Sequence, residues 1–150
     1  MYFKNQKFLV AGMSKSGTAA AEFLLRRGAV TYLYDDVSGG AVEKNMRILE
    51  EKGAVVVRED SLSAALSECD ILVLSPGIPI DHTLPVAFRK AGKRIIGESE
   101  LGCLFLRAPL FAVTGTNGKT TTVTMLDEIF RAAGEKSVAC GNIGLPLTAC

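Results

Sequence analysis

The stretch FLVAGMSKSGTAAAEFLLRRG, residues 8–28, carries the pattern from which the fold can be predicted. Residues 8–11 form an apolar run typical of a buried strand, and two glycines then bracket a short turn. Alanine and leucine follow at helical spacing, and Gly28 stands where a helix of that length should end. The stretch therefore predicts a strand, a glycine turn and a helix, which together begin a strand-helix-strand unit.

The same alternation of strands and helices continues along the chain. Strands that alternate with helices are typical of a parallel sheet with crossover helices. We therefore predict an α/β fold, in which residues 1–107 form a Rossmann-like parallel sheet with flanking helices. Asp81 is expected to cap the fourth helix, with His82 at the surface. The further predicted strands are the short apolar runs at residues 30–34, 54–57, 71–74 and 94–96, and a short helix is predicted within residues 98–106.

A second strand-turn-helix pattern begins after a boundary near Arg107-Ala108-Pro109. Residues 110–113 are predicted to form a strand, a glycine turn follows, and apolar residues then recur at helical spacing from position 123 to position 133. One more strand is expected near residues 137–140. We therefore interpret residues 108–150 as the truncated start of a P-loop ATPase domain, because such a domain needs further parallel strands to cover its apolar faces.

The turn between residues 113 and 122 is typical of a phosphate-binding site. Glycines leave backbone N–H groups unobstructed, the following lysine brings positive charge to the outer phosphates, and the next hydroxyl can bind Mg²⁺. Val113 stands where the general P-loop pattern has its first glycine, so this is a shorter variant. The alternative is a glycine turn that only begins a helix. We predict ATP and Mg²⁺ binding by Gly115, Thr116, Asn117, Gly118, Lys119, Thr120 and Thr121, with Lys119 and Thr120 as catalytic residues and Thr120 as the metal ligand.

The turn at residues 12–17 is similar to the dinucleotide fingerprint G-x-G-x-x-G, with Ser14 in the middle glycine position. Asp35 lies downstream at the distance where an acidic residue of that fingerprint meets a ribose hydroxyl. The serine argues against close approach of a dinucleotide pyrophosphate, whereas Ser14, Lys15 and Ser16 offer donors to another diphosphate. A nicotinamide-binding dehydrogenase domain and a packing turn without a ligand both stay open at this point.

Two further loops follow predicted strands. Ser-Pro-Gly-Ile-Pro at residues 75–79 lies at the carboxyl end of a strand, the edge of a doubly wound sheet at which ligands gather. Gly-Asn-Ile-Gly-Leu-Pro at residues 141–146 offers the donor and acceptor of the Asn142 amide beside glycines that permit close approach. An ordinary Pro-Gly turn and a structural loop are the respective alternatives.

Composition excludes several functional classes. The 150 residues are 48% hydrophobic and 22% charged, with a formal net charge of +1, so we expect no nucleic-acid and no membrane partner. The amino terminus lacks the apolar core of a signal peptide. The four cysteines are scattered without metal-binding spacing, so we expect reduced cysteines in a cytoplasmic protein.

Together, the four glycine-containing motifs resemble the Mur ligases of peptidoglycan synthesis in their order and spacing, over essentially all 150 residues. Members that add D-glutamate look most similar. The resemblance implies an amino-terminal domain that binds the UDP of the substrate, followed by a central ATPase domain. By this resemblance, Lys15 and Ser16 match residues that contact the UDP diphosphate, and Asp35 and Asp36 match residues that contact uridine and ribose. Gly77 matches the glycine in the loop over the uracil, and Asn142 matches a residue that contacts the substrate between domains. Residues 115–121 match the ATP loop.

The resemblance also implies a reaction. An ATP-dependent amide ligase of this kind adds D-glutamate to UDP-N-acetylmuramoyl-L-alanine through an acyl phosphate, with release of ADP and phosphate. Another ligase of the family, adding a different amino acid, is the nearest alternative. Because the family's acidic magnesium ligand and D-glutamate pocket would follow Cys150, we expect the 150-residue chain to lack ligase activity and to bind UDP weakly.

Overall fold

The computed structural model describes Phe3, residues 6–142 and residues 144–150. Within these residues, five strands form a single parallel sheet, as the alternating pattern predicted. The strands are β1 (Lys7–Ala11), β2 (Val30–Tyr34), β3 (Val55–Val56), β4 (Ile71–Leu74) and β5 (Arg94–Gly97).

The spatial order of the strands is β3-β2-β1-β4-β5. The chain therefore adds β2 and then β3 on one side of β1, and afterwards adds β4 and then β5 on the other side. Phe8 of β1 lies in register with Thr31 of β2 and with Ile71 of β4. The point between β1 and β4 is the topological switch point, where loops from the two halves of the sheet diverge and leave a crevice.

Both faces of the sheet are buried, which explains why the strands are continuous apolar runs. Phe8 and Val10 point into one hydrophobic core, whereas Leu9 and Ala11 point into the other, and all four are fully buried. The helices are α1 (Lys15–Arg26), α2 (Gly40–Glu51), α3 (Leu62–Glu68), α4 (Thr83–Lys90), α5 (Glu98–Cys103) and α6 (Lys119–Ala132). Helices α1, α2 and α5 supply the first core, and α3 and α4 supply the second.

The prediction of strands at residues 110–113 and 137–140 was wrong. In the described part of the second unit, β-type pairing of the backbone is confined to an isolated bridge between Cys140 and Leu145. Leu110 and Phe111 stay 50% and 62% exposed. An apolar run becomes a strand only when neighbouring strands accept its backbone hydrogen bonds, and the described residues supply none here.

The second unit nevertheless contacts the first. Helix α6 forms as predicted but buries none of its residues, while a 3₁₀ turn at Leu147–Ala149 packs against α1 and α5. The carboxyl-terminal turn is thus packed against the first unit, whereas α6 is exposed. Among the described helices, none combines the length and apolar character that crossing a membrane would require.

A substitution at Gly17 tests the packing of the first turn. A Cβ atom at this position would lie 1.7 Å from the Gly12 carbonyl oxygen, which is backbone and unable to swing away. We expect Gly17→Ala to lower the free energy of unfolding by about 2–4 kcal/mol in urea titrations. Gly97→Ala is the control, since a Cβ there meets no atom within 4 Å, and equal losses for both variants would contradict this packing.

Thiol reactivity tests the second core. Cys69 is fully buried there, and burial raises the pKa of its thiol to about 12, whereas Cys103 and Cys150 are exposed. Because the thiolate is the reactive form, Cys69 should resist Ellman's reagent near pH 8 until urea unfolds the chain. The Cys69→Ala variant should lack only the thiol that reacts after unfolding. Rapid labelling of Cys69 in the folded chain would disprove its burial.

Candidate functional site

The sequence-predicted ligand residues of the first unit gather at the carboxyl edge of the sheet. Lys15 and Ser16 open α1 directly after the turn that leaves β1, Asp35 and Asp36 follow β2, and Gly77 lies in the loop after β4. Strand order alone explains this convergence, because β2, β1 and β4 are neighbours and all run in the same direction. The crevice at the switch point is the position at which ligands of open α/β sheets bind.

Close backbone packing shapes the turn between β1 and α1. Gly12 adopts a φ of +88°, and a Cβ there would lie 2.8 Å from Ser75 Cβ. The buried Ser75 hydroxyl donates to the Gly12 carbonyl at 2.9 Å, and Gly17 packs against the same carbonyl. Glycine is required at both positions, so these residues serve tight packing whatever ligand binds above them.

Asp35 braces this turn. One carboxylate oxygen accepts the Met13 N–H at 2.6 Å, and the other accepts the Val37 N–H at 2.9 Å. The Met13 carbonyl in turn accepts from the Asn45 amide at 3.0 Å and from the Thr18 hydroxyl at 3.2 Å. Each carboxylate oxygen keeps a further lone pair, so bracing the turn and binding a ribose or uracil group are compatible.

Asp36 joins two of the loops that border the crevice. Its carboxylate accepts from the Tyr34 hydroxyl at 2.6 Å and contacts His82 Nε2 at 3.0 Å. The pKa of Tyr34 is raised to about 12, mainly because its hydroxyl donates to Asp36 and secondly because it is buried. His82 Nδ1 accepts the Leu84 N–H at 3.3 Å, so Nε2 carries the ring proton and donates to Asp36.

His82 therefore caps α4, and the sequence prediction of Asp81 as the cap was wrong. The first helical residue of α4 is Thr83, and the capping side chain must belong to the residue just before it. Asp81 lies one position too early to do so. His82 is also half-buried, although we expected it at the surface. Histidine is an uncommon cap, and the pairing with Asp36 gives no local sequence signal.

Lys15 contacts a loop that is distant in sequence. Its ammonium group donates to the Gly144 carbonyl, within the 141–146 loop that also carries Asn142. Lys15 and Asn142 are both exposed, and Ser16 is half-buried. The structure thus brings the turn after β1 together with the loop in which the resemblance predicts a substrate contact by Asn142.

Gly77 is exposed in the loop after β4, and a side chain there would meet no atom within 4 Å. This loop also forms one wall of a cleft of about 440 Å³ whose other wall is the junction of β5 and α5. Apolar side chains and a few polar groups line it, among them Leu74, Ile78, Ile95 and Glu98. The cleft continues the crevice along the carboxyl edge of the sheet.

The phosphate-type turn of the second unit is exposed. Gly115 and Gly118 have φ values of +148° and +77°, and Gly118 precedes the first helical residue, Lys119. The Lys119 ammonium folds back over the turn, donating to the Gly115 carbonyl and to the Thr116 carbonyl, the latter at 3.2 Å. Residues 119–121 form the first turn of α6, so their N–H groups have no partner within the helix.

Metal binding by protein groups alone has no support in the described residues. No three histidine, cysteine, aspartate or glutamate side chains cluster there in a way that would hold an ion. Thr120 is exposed at the second position of α6. A metal at this place would need further oxygen ligands from a bound molecule.

Two models of protein families match the chain. The model described as Mur ligase MurD-like, N-terminal domain, covers residues 6–97, and the model described as Mur ligase middle domain covers residues 113–149.

Curated relatives and a solved structure agree with this match. The UDP-N-acetylmuramoylalanine–D-glutamate ligase of Acidobacterium capsulatum is 42% identical over 99% of the chain and 32% of the relative. The ligase of that name from Geotalea daltonii is 40% identical over 98% of the chain and 32% of the relative. The chain thus spans about a third of the length of these relatives. A murein peptide ligase from Psychrobacter arcticus shares the fold, with a TM-score of 0.59 at 20% identity over 87% of this chain and 27% of that one.

These matches agree with the geometry described above, because the two family models cover both the crevice at the switch point and the exposed phosphate-type turn. The amino-terminal model alone covers more than half of the residues. The chain therefore belongs to the Mur ligase family.

Proposed function

We propose that the switch-point crevice binds the UDP end of a UDP-N-acetylmuramoyl substrate. The observation that carries this proposal is the convergence of Lys15, Ser16, Asp35, Asp36 and Gly77 at one edge of the sheet. An ammonium group, a hydroxyl and the amino-terminal N–H groups of α1 suit a diphosphate. Carboxylates after the neighbouring strand suit the hydroxyl and N–H donors of ribose and uracil.

The serine in the middle of the turn favours a sugar-linked diphosphate over a dinucleotide. Ser14 is exposed, and its side chain makes no capping hydrogen bond to α1. A dinucleotide fingerprint places glycine there so that the pyrophosphate can approach the backbone closely. A serine hydroxyl instead extends the set of phosphate donors while keeping the phosphate slightly farther from the backbone.

The second unit is proposed to contribute the ATP site, with the boundary between the units near residues 107 and 108. The exposed glycines, the Lys119 ammonium and the free N–H groups of α6 form a donor set that fits phosphates. Lys119 would exchange its two carbonyl partners for phosphate oxygens, and Thr120 would supply one oxygen ligand to Mg²⁺. Bound ATP and Mg²⁺ would supply the phosphoryl group and the neutralisation of its charge.

The whole protein is proposed to form an amide bond between the L-alanine carboxylate of the substrate and D-glutamate. The carboxylate attacks the γ-phosphorus of ATP and ADP leaves, which gives an acyl phosphate. The D-glutamate amine then attacks the acyl carbon and phosphate leaves, with the amine proton passing to solvent or a base. D-Glutamate is the amino acid proposed because relatives at 42% and 40% identity are named as D-glutamate ligases.

A titration with UDP tests the first site. Lys15→Met should weaken UDP binding about tenfold in calorimetric titrations, because it removes a charge-assisted contact worth about 1.5 kcal/mol. Lys90→Met is the matched control, since Lys90 is exposed at the end of α4 that leads into β5, at the opposite edge of the sheet from the crevice. NAD should bind no better to the wild-type chain than to Lys15→Met, and tight NAD binding with no UDP binding would overturn the proposal in favour of a dehydrogenase domain.

Phosphate release tests the second site in the full-length protein. With UDP-N-acetylmuramoyl-L-alanine and ATP present, D-glutamate should stimulate phosphate release, and Lys119→Met should reduce the rate at least about 100-fold. The UDP affinity of this variant should stay unchanged, which separates the two sites. Stimulation by another amino acid in place of D-glutamate would assign a sister ligase of the family.

A further inference from the structure

Glu98 is a buried carboxylate outside the residues proposed to bind UDP and ATP. It lies where β5 passes into α5 and is only 4% exposed. One of its oxygens accepts both the N–H and the hydroxyl of Thr148, each at 2.7 Å, and Thr148 is itself 2% exposed. A carboxylate is retained in such a place only when strong hydrogen bonds offset its desolvation, so this pairing needs an explanation.

The contacts around Thr148 hold the same segment from other sides. Leu147 packs so closely on α5 that a Cβ on Gly102 would lie 2.7 Å from Leu147 Cγ. The Arg26 guanidinium of α1 reaches the Thr148 carbonyl at 3.5 Å. The segment is therefore fixed on α1 and α5, two helices of the UDP-binding unit.

The fixed segment directly follows the 141–146 loop. The Gly141 N–H donates to the Leu145 carbonyl at 2.8 Å, which closes the loop on itself, and Lys15 donates to the carbonyl of Gly144. The lysine contact is exposed, and an exposed contact of this kind contributes little stability. The buried Glu98 contact is the stronger restraint on where the loop lies.

We propose that Glu98 and Thr148 form a latch that holds the 141–146 loop, with Asn142, beside Lys15 of the diphosphate-binding turn. Glu98 is then a positioning residue, which joins the substrate-binding unit to the nucleotide-binding unit. The functional meaning of the latch rests on the proposed function, which assigns Lys15 to the UDP diphosphate, and on the family resemblance, by which Asn142 matches a substrate contact. The latch itself is a property of the chain without any ligand.

Hydrogen exchange of the 150-residue chain tests the latch directly. Thr148→Val keeps the shape of the side chain but removes the hydroxyl donor, so the amides of residues 141–150 should exchange at least about tenfold faster. Amides of β1 and β4 should keep their protection. Thr148→Ser restores the donor and should restore slow exchange. Ser99→Ala is the matched control, because the Ser99 hydroxyl contacts the other Glu98 oxygen at 3.3 Å and leaves Thr148 untouched.

A second variant keeps the test decisive if Thr148→Val destabilises the whole chain. Gly102→Ala places a methyl group against Leu147 without altering either partner of the latch, and alanine favours the α5 helix. It should accelerate exchange only at these same amides of residues 141–150. Unchanged exchange in both variants, or equal acceleration by Ser99→Ala, would overturn the latch.

UDP titrations of the same variants separate the latch from the proposed function. We expect Thr148→Val to weaken UDP binding about threefold through loss of loop order, and Thr148→Ser to recover the affinity. If the exchange results hold but the wild-type chain binds no UDP, the latch stands and the proposed function fails. If UDP binds equally to all variants despite faster exchange, the latch does not position the substrate-binding loop and the positioning role is overturned.

Discussion

The packing of Gly17 and Ser75 against the Gly12 carbonyl fixes how the central strands and the first helix meet. A Cβ on Gly17 would lie 1.7 Å from that carbonyl oxygen, and the Ser75 hydroxyl donates to the same oxygen at 2.9 Å. This contact ties together the end of β1, the start of α1 and the end of β4. It thereby sets the width of the crevice at the switch point and directs the first turn of α1 toward it.

The polar residues around the crevice build on this contact. Asp35 holds the Met13 and Val37 amides, while Asp36 links β2 to His82 at the start of α4. The two carboxylates thus brace loops as well as offering acceptors to a ligand. Such double use is common where a site must be held in position before its substrate arrives, because prior ordering reduces the entropy cost of binding.

Much of the first unit could be predicted from sequence because its signals are local. The runs at 30–34 and 71–74 became strands with the predicted bounds, since branched apolar residues between helices strongly favour a buried parallel sheet. The runs at 110–113 and 137–140 carry the same signal but lack neighbouring strands among the described residues. Local pattern predicts the tendency to form a strand, whereas pairing decides the outcome.

Contacts between distant residues could not be predicted in this way. The capping of α4 by His82 depends on an environment that includes Asp36, and the Glu98 pairing with Thr148 joins two units that the sequence suggested were separate. Neither pair belongs to a motif with a fixed spacing. The motif residues themselves were found readily, because glycine turns after apolar runs depend on backbone sterics alone.

The proposed UDP site lies in the crevice between β1 and β4, beside the end of β2. Whether UDP binds there can be measured by following the amide chemical shifts of the isotope-labelled chain during a UDP titration. We expect saturable shifts at residues 12–17, 35–37 and 75–77, with little change at residues 115–121. Shifts confined to residues 115–121, or no shifts at saturating UDP, would rule out a UDP site in the crevice.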